Sequence, residues 1–205
     1  MRLCSLVVAL TVLTGGVAAA QDQPAAVGVK AGMNFSNLNF EGDGATVNLD
    51  QRKGFVGGLF VVWPATSRVA LQTEALYSQK GAQMEEDGAS GKIKLDYVDV
   101  PVLARFSSPV SGGTSFHVFA GPSFSFRVSA KAESSFEDED ESEDIDDDVE
   151  RFDLGFVAGA GLEFGRFVVD GRYTWGLSNI NKNKDETDDV KIKNRVFAVM
   201  AGIRF

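Results

Sequence analysis

The chain has 205 residues, 44% of them hydrophobic, a formal charge of -9 and a single cysteine, Cys4. That acidity excludes nucleic acid as an expected partner, because phosphate backbones need a basic surface. One cysteine excludes a disulfide framework, and the length suits one domain.

Residues 1–20, MRLCSLVVALTVLTGGVAAA, place one cation (Arg2) before an apolar stretch and end in small residues. This is the layout of a secretory signal with an A-x-A site, so cleavage is expected before Gln21. The apolar core is too short to span a bilayer as a mature helix. Cys4 lies inside it, so the exported domain, 21–205, is expected to lack thiolate chemistry altogether.

From there the dominant pattern has period two. VGVKAGMNFS (27–36) sets Val27, Val29, Ala31, Met33 and Phe35 on one face, with Gly28, Lys30, Gly32, Asn34 and Ser36 on the other. Similar alternation recurs at 55–63, 69–77, 92–106, 116–126, 152–164, 167–177 and 197–205. Eight strands of roughly 9–11 residues, the length a tilted strand needs to cross a bilayer, suit a closed all-β barrel. Within 92–106 the apolar face shifts from Ile93, Leu95 and Tyr97 to Val98, Val100, Val102, Ala104 and Phe106. A bulge near Tyr97–Val98 would absorb that shift; so would a misplaced strand boundary.

Alternation does not say which face looks inward. A soluble barrel would bury its apolar face, whereas an outer-membrane barrel turns it toward lipid. Glycine crowds the polar face (Gly28, Gly32, Gly58, Gly121, Gly155, Gly159, Gly161, Gly202), which suits a narrow eight-strand interior. Links after the first, third, fifth and seventh strands are long (38–53, 79–91, 131–150, 179–194) and the others short, the outer-membrane asymmetry. Traced up and down, the outward aromatics fall into two rings. Trp63, Phe106, Phe116, Phe164, Phe167 and Phe205 mark the short-turn end. Phe35, Phe55, Tyr77, Tyr97, Phe126, Phe152, Trp175 and Phe197 mark the long-loop end. Eight steps from Phe55 to Trp63, at roughly 3.3 Å each and a tilt of about 40°, rise about 20 Å, close to an apolar band of roughly 25 Å. The expectation is therefore a transmembrane, eight-stranded, antiparallel up-and-down barrel with a closed polar interior, long extracellular loops and short periplasmic turns.

LQTEALYSQKGA (71–82), LDYVDVPVLARF (95–106), GVKAGMNFSNL (28–38) and GRYTWGLSNI (171–180) resemble the PorT-like, "porin family" outer-membrane barrels, over essentially the whole mature chain. The resemblance implies Gram-negative-type outer-membrane insertion. It also implies that Phe205 serves as the C-terminal signal read by the barrel-assembly machinery. The family's namesake is associated with protein secretion, although no motif in this chain carries that role over.

Lys30, Glu74, Asp99, Arg105, Arg127, Glu163, Asp170, Arg172 and Arg204 are expected on the inward face. They could line an ion path, but eight strands enclose room only for side chains, so a paired plug is expected instead. His117, the only histidine, is expected inside near the periplasmic rim. Catalysis would need a nucleophile against it. Inward Ser123 and Ser125 lie too far along its own strand, and no G-x-S-x-G accompanies it.

Eleven of the fourteen residues from Glu137 to Glu150 are acidic. Asp138, Asp140, Asp144, Asp146 and Asp148 are candidate ligands for Ca²⁺ or Mg²⁺, or contacts for a basic protein. Against this, the glycine of an EF-hand is missing and the sequence carries no ligand geometry, so a solvated, extended loop is the favoured reading. No cofactor motif appears. The expected protein is a non-enzymatic monomer presenting surface loops. The alternatives are an accessory component of envelope transport or secretion, a lipid-active enzyme, and a soluble ligand-binding barrel.

Overall fold

The structure, a computed structural model, describes residues 24–42, 45–48, 50–86, 89–136, 139–144, 150–178 and 191–205. Side chains within 38–50, 84–90, 133–149 and 179–192, and that of residue 92, fall outside this description. Ten strands occur and no helix among the described residues. They are β1 (Ala26–Gly42), β2 (Ala45–Asn48), β3 (Asp50–Pro64), β4 (Val69–Glu86), β5 (Ala89–Ser107), β6 (Thr114–Phe136), β7 (Glu139–Asp144), β8 (Phe152–Phe164), β9 (Phe167–Gly176) and β10 (Lys191–Arg204).

Eight of these form the wall in the order β1-β3-β4-β5-β6-β8-β9-β10. β10 pairs antiparallel with β1 from Gly28↔Arg204 to Glu41↔Lys191, so the sheet closes on itself and leaves no open edge. The Phe205 amide donates to the Val27 carbonyl, extending that seam to the last residue. β2 pairs with β1 and β7 with β6, beyond the wall.

At one rim the connections are short: 65–68, 108–113 and 165–166. Gly165, with φ of 59°, supplies the left-handed residue that the two-residue turn requires. At the other rim the strands run well past the expected limits. β4 continues to Glu86 and β5 begins at Ala89, so most of the expected 79–91 loop is paired strand. β6 likewise continues to Phe136 and turns back into β7, which makes the start of the acidic segment a hairpin rather than a loop. The physical reason is that apolar alternation ends where the outward face turns polar, as at Gln79, while inward Lys80, Ala82 and Ala130 stay buried. Backbone N–H and C=O groups still need partners there, and ladder pairing supplies them.

The outer face is apolar, with exposed Met33, Phe55, Leu59, Val118 and Val199 among its residues. In water such a surface would drive association; in hydrocarbon it matches its surroundings. All six short-turn aromatics are exposed. In the other ring Phe55, Tyr77, Phe126, Phe152, Trp175 and Phe197 are exposed, and Phe35 is half-buried against Phe197 at 6.2 Å between centroids. Phe126 and Phe152 pair across β6 and β8 at 5.6 Å.

Tyr97 does not belong to that ring: it is 0% exposed and points into the barrel. β5 keeps an unbroken alternation, with Leu95, Tyr97, Asp99, Leu103 and Arg105 all buried, so the apparent shift in its sequence is not a bulge in that strand. The irregularity lies in β6, where Asp96↔Ser129 is followed by Tyr97↔Arg127, leaving Val128 unmatched. Leu95 and Tyr97 are apolar residues on the inward face, which a strictly polar interior did not allow for.

The interior is accordingly mixed. Phe60, Leu76, Leu103, Phe119 and Met200 are buried inside together with the charges. Glycine makes room for them: a β-carbon on Gly28 would collide with the Phe60 ring, on Gly159 with Phe119 and on Gly161 with His117. Small residues on one strand thus face large ones on the next.

Candidate functional site: the charged lumen

Inward side chains of β4 follow its even positions, from Gln72 and Glu74 through Leu76 and Ser78 to Lys80. β9 contributes Asp170 and Arg172, and β1 contributes Lys30 and Asn34, all buried. Four of these groups form one cluster at mid-barrel. Lys30 Nζ lies 2.9 Å from both Glu74 Oε1 and Asp170 Oδ2. Arg172 reaches Glu74 Oε2 with Nη1 at 2.6 Å and Asp170 Oδ1 with Nη2 at 3.0 Å. Two cations and two carboxylates, all almost wholly buried, therefore neutralise one another.

In the closed order of strands, β4 and β9 stand four places apart, on opposite sides of the barrel. The Arg172–Glu74 bond consequently crosses the full width of the lumen, with Lys30 bridging from the strand midway between. Each ion gives up hydration here, and only multiple close contacts offset that loss.

Toward the short-turn rim, Arg105 lies 2.7 Å from Glu163, and Arg204 approaches the same carboxylate at 3.4 Å. Gln72 joins this layer to the central one, accepting from Arg105 at 3.0 Å and donating to Glu74 at 2.5 Å. Toward the hairpin rim, Lys80 pairs with Asp99 at 2.8 Å and donates to Ser125 at 3.1 Å. Arg127, beside the β6 bulge, is half-buried and makes contacts of its own.

The inward aromatics belong to the same network. Lys30 sits over the Phe60 ring at 4.8 Å, Lys80 over Tyr97 at 4.7 Å and Arg172 over Phe119 at 4.9 Å. Each ring face adds a favourable quadrupole to a cation that has lost its water.

All nine charges expected inside do lie on inward positions, and the structure joins eight of them in ion pairs with one another or with Lys80. Sequence reasoning missed Lys80, placed beyond the assumed end of its strand. It also missed Asp153, which accepts from Asn194 at 2.8 Å; Asn34, expected on the polar face, lies inside and donates to Ser78 at 2.9 Å. The even-numbered run of β4 extends unbroken to Lys80, and that signal could have found it.

His117 is buried and stacks on Phe119 at 5.8 Å, and its Nδ1 has no hydrogen-bond partner. Among the described residues no three His, Cys, Asp or Glu side chains converge to hold a metal. Asp138, Asp146 and Asp148 lie outside the described residues, as do the side chains of Asp140 and Asp144.

Solved structures similar in fold include Ail of Yersinia pestis, at 20% identity over 89% of this chain and 100% of that one, with a TM-score of 0.46. OprG of Pseudomonas aeruginosa follows at 12% identity over 88% and 96%, with a TM-score of 0.47. Neisserial surface protein A matches at 12% identity over 89% and 100%, with a TM-score of 0.45. No curated protein sequence matches. Residues 19–182 match the outer membrane protein beta-barrel domain, and the chain belongs to that family, an outer-membrane barrel whose lumen is crossed by ion pairs.

Proposed function

We propose that this protein is a closed outer-membrane scaffold that acts through its hairpin rim and neither conducts through its lumen nor breaks bonds. The observation that carries the reading is the Lys30–Glu74–Asp170–Arg172 cluster. Opening a path would separate buried opposite charges across the barrel's width, at a cost of several kcal/mol per ion. The β4–β5 and β6–β7 hairpins, by contrast, carry the paired strands on beyond the aromatic ring. The acidic segment 137–150 is the part suited to divalent cations or a basic protein. His117 offers little to catalysis, since its ring is enclosed by the wall and engages no hydroxyl through Nδ1.

Within the family we place the chain with the PorT-like barrels, on the four stretches quoted above, and assign residues 1–20 to export and Phe205 to assembly. N-terminal sequencing of the mature protein is then expected to begin at Gln21. Planar-bilayer recording tests the closed lumen. The purified protein is expected to give no steady openings, and large, lasting ones would overturn the reading. Pull-down from mild detergent separates a lone scaffold from a secretion component, which would bring stoichiometric partners with it.

A further inference from the structure

Prolines interrupt the middle of the wall, where a closed sheet offers no free edge for a missing N–H. Pro101 on β5 is buried inside, and Pro122 on β6 is exposed outside. Strand pairing breaks at both. Between β4 and β5 the ladder runs to Thr73↔Val102 and resumes at Leu76↔Asp99. Between β5 and β6 it passes from Pro101↔Ser123 to Ala104↔Ala120. By contrast, β1 and β10 pair without interruption from Gly28↔Arg204 to Glu41↔Lys191.

The phase of the hydrogen bonds identifies what is lost. The Ser107 amide donates to the Arg68 carbonyl on β4, and the Ser108 amide to the Phe116 carbonyl on β6. Along β5, odd positions therefore bond to β4 and even positions to β6. In these registers Pro101 faces Glu74 and Pro122 faces Val102, so the backbone carbonyls of Glu74 and Val102 have no ladder donor. They lie on either side of one strand, at the level of the central ion cluster to which Glu74 belongs. Unpaired carbonyls are costly inside a membrane, so the wall is weakest here. Behind the break lies a cavity of about 20 Å³, lined by Pro101, Ser78, Ser123, Lys80 and Asp99 among others, with room for about one water.

Side chains hold the strands together where the backbone does not. On the hairpin side of the break, Lys80 of β4 pairs with Asp99 of β5 at 2.8 Å and donates to Ser125 of β6 at 3.1 Å. On the short-turn side, Arg105 of β5 donates to Gln72 of β4 at 3.0 Å. We propose that β5 between Asp99 and Leu103 is a latched lateral seam. The barrel parts there, sideways and at mid-depth, when the Lys80 and Arg105 contacts release, while the β1–β10 closure stays intact. Passage along the axis is a separate matter, so the seam stands or falls independently of the closed lumen.

The test is hydrogen–deuterium exchange, read by mass spectrometry, on the full mature chain in lipid nanodiscs. Amides within 72–76, 98–104 and 119–125 are expected to exchange at least about tenfold faster than those within 28–35 and 197–203. Equal protection of the two regions overturns the seam, and that comparison needs no variant. Pro122→Val supplies a donor for Val102 and should slow exchange on the β5–β6 side alone. Pro101→Val should do the same on the β4–β5 side. Unchanged exchange in either folded variant overturns the role of the missing donors. Lys80→Met removes the latch and should speed exchange at the seam by about a further tenfold, leaving 28–35 unaltered. A uniform rise over the whole barrel would instead make Lys80 a general stabiliser and overturn the latch. An unchanged shift between boiled and unboiled gel bands verifies that each variant is folded.

Discussion

Lys30 and Lys53 occupy paired strands of the same wall, yet they live under opposite conditions. Lys30, on β1, points inward, contacts two carboxylates at 2.9 Å and lies over an aromatic ring. Lys53, on β3, points outward past the aromatic girdle and meets no carboxylate among the described residues. The central lumen charges are almost wholly buried, so neighbours must offset the hydration that each has lost. Lys53 is exposed, so its charge keeps its hydration and needs nothing from the protein. Burial, not residue type, separates a structural cation from a solvated one.

Substitutions can sharpen or break that contrast. The largest effect is expected from Arg172→Met, which strips both Glu74 and Asp170 of a partner. A loss of about 3–5 kcal/mol should appear as unfolding at lower urea in detergent. Adding Glu74→Met should restore part of it, since one unpaired carboxylate is removed. If the double variant is as weak as the single one, the pair matters for more than neutralisation.

Phe60→Ala comes next, at about 3 kcal/mol by the same measurement, from the cavity and the lost ring beneath Lys30. Gly159→Val should cost about 1–3 kcal/mol, because the Phe119 ring occupies the space its side chain needs. Pairing it with Phe119→Ala should relieve the collision. The smallest effect belongs to exposed Lys53: Lys53→Gln should shift stability in neutral detergent by less than about 0.5 kcal/mol. A loss as large as that of a lumen variant would show the contrast to be false.

Most of the wall was legible from period two alone, because a strand between lipid and lumen alternates sharply and each side chain reports its own face. Trp63, Phe106, Phe116, Phe164, Phe167 and Phe205 all took their expected outward places for that reason. The hairpin extensions were not legible. Beyond Tyr77 the outward position Gln79 is polar, so apolar alternation stops even though Ser78, Lys80 and Ala82 stay buried and the backbone ladder continues to Glu86. Tyr97, Phe60 and Phe119 were hidden differently: an inward aromatic looks the same in a sequence as an outward one, and only the cation above it and the glycine beside it explain its side.

Strand direction, membrane residence and most of the facing therefore follow from local chemistry legible in a linear string. Which lysine meets which carboxylate does not. Lys30, Glu74 and Arg172 are far apart in the chain and come from strands two and four places apart in the closed wall. Ion pairing depends on distance across the lumen, and that distance exists only once β10 has closed on β1.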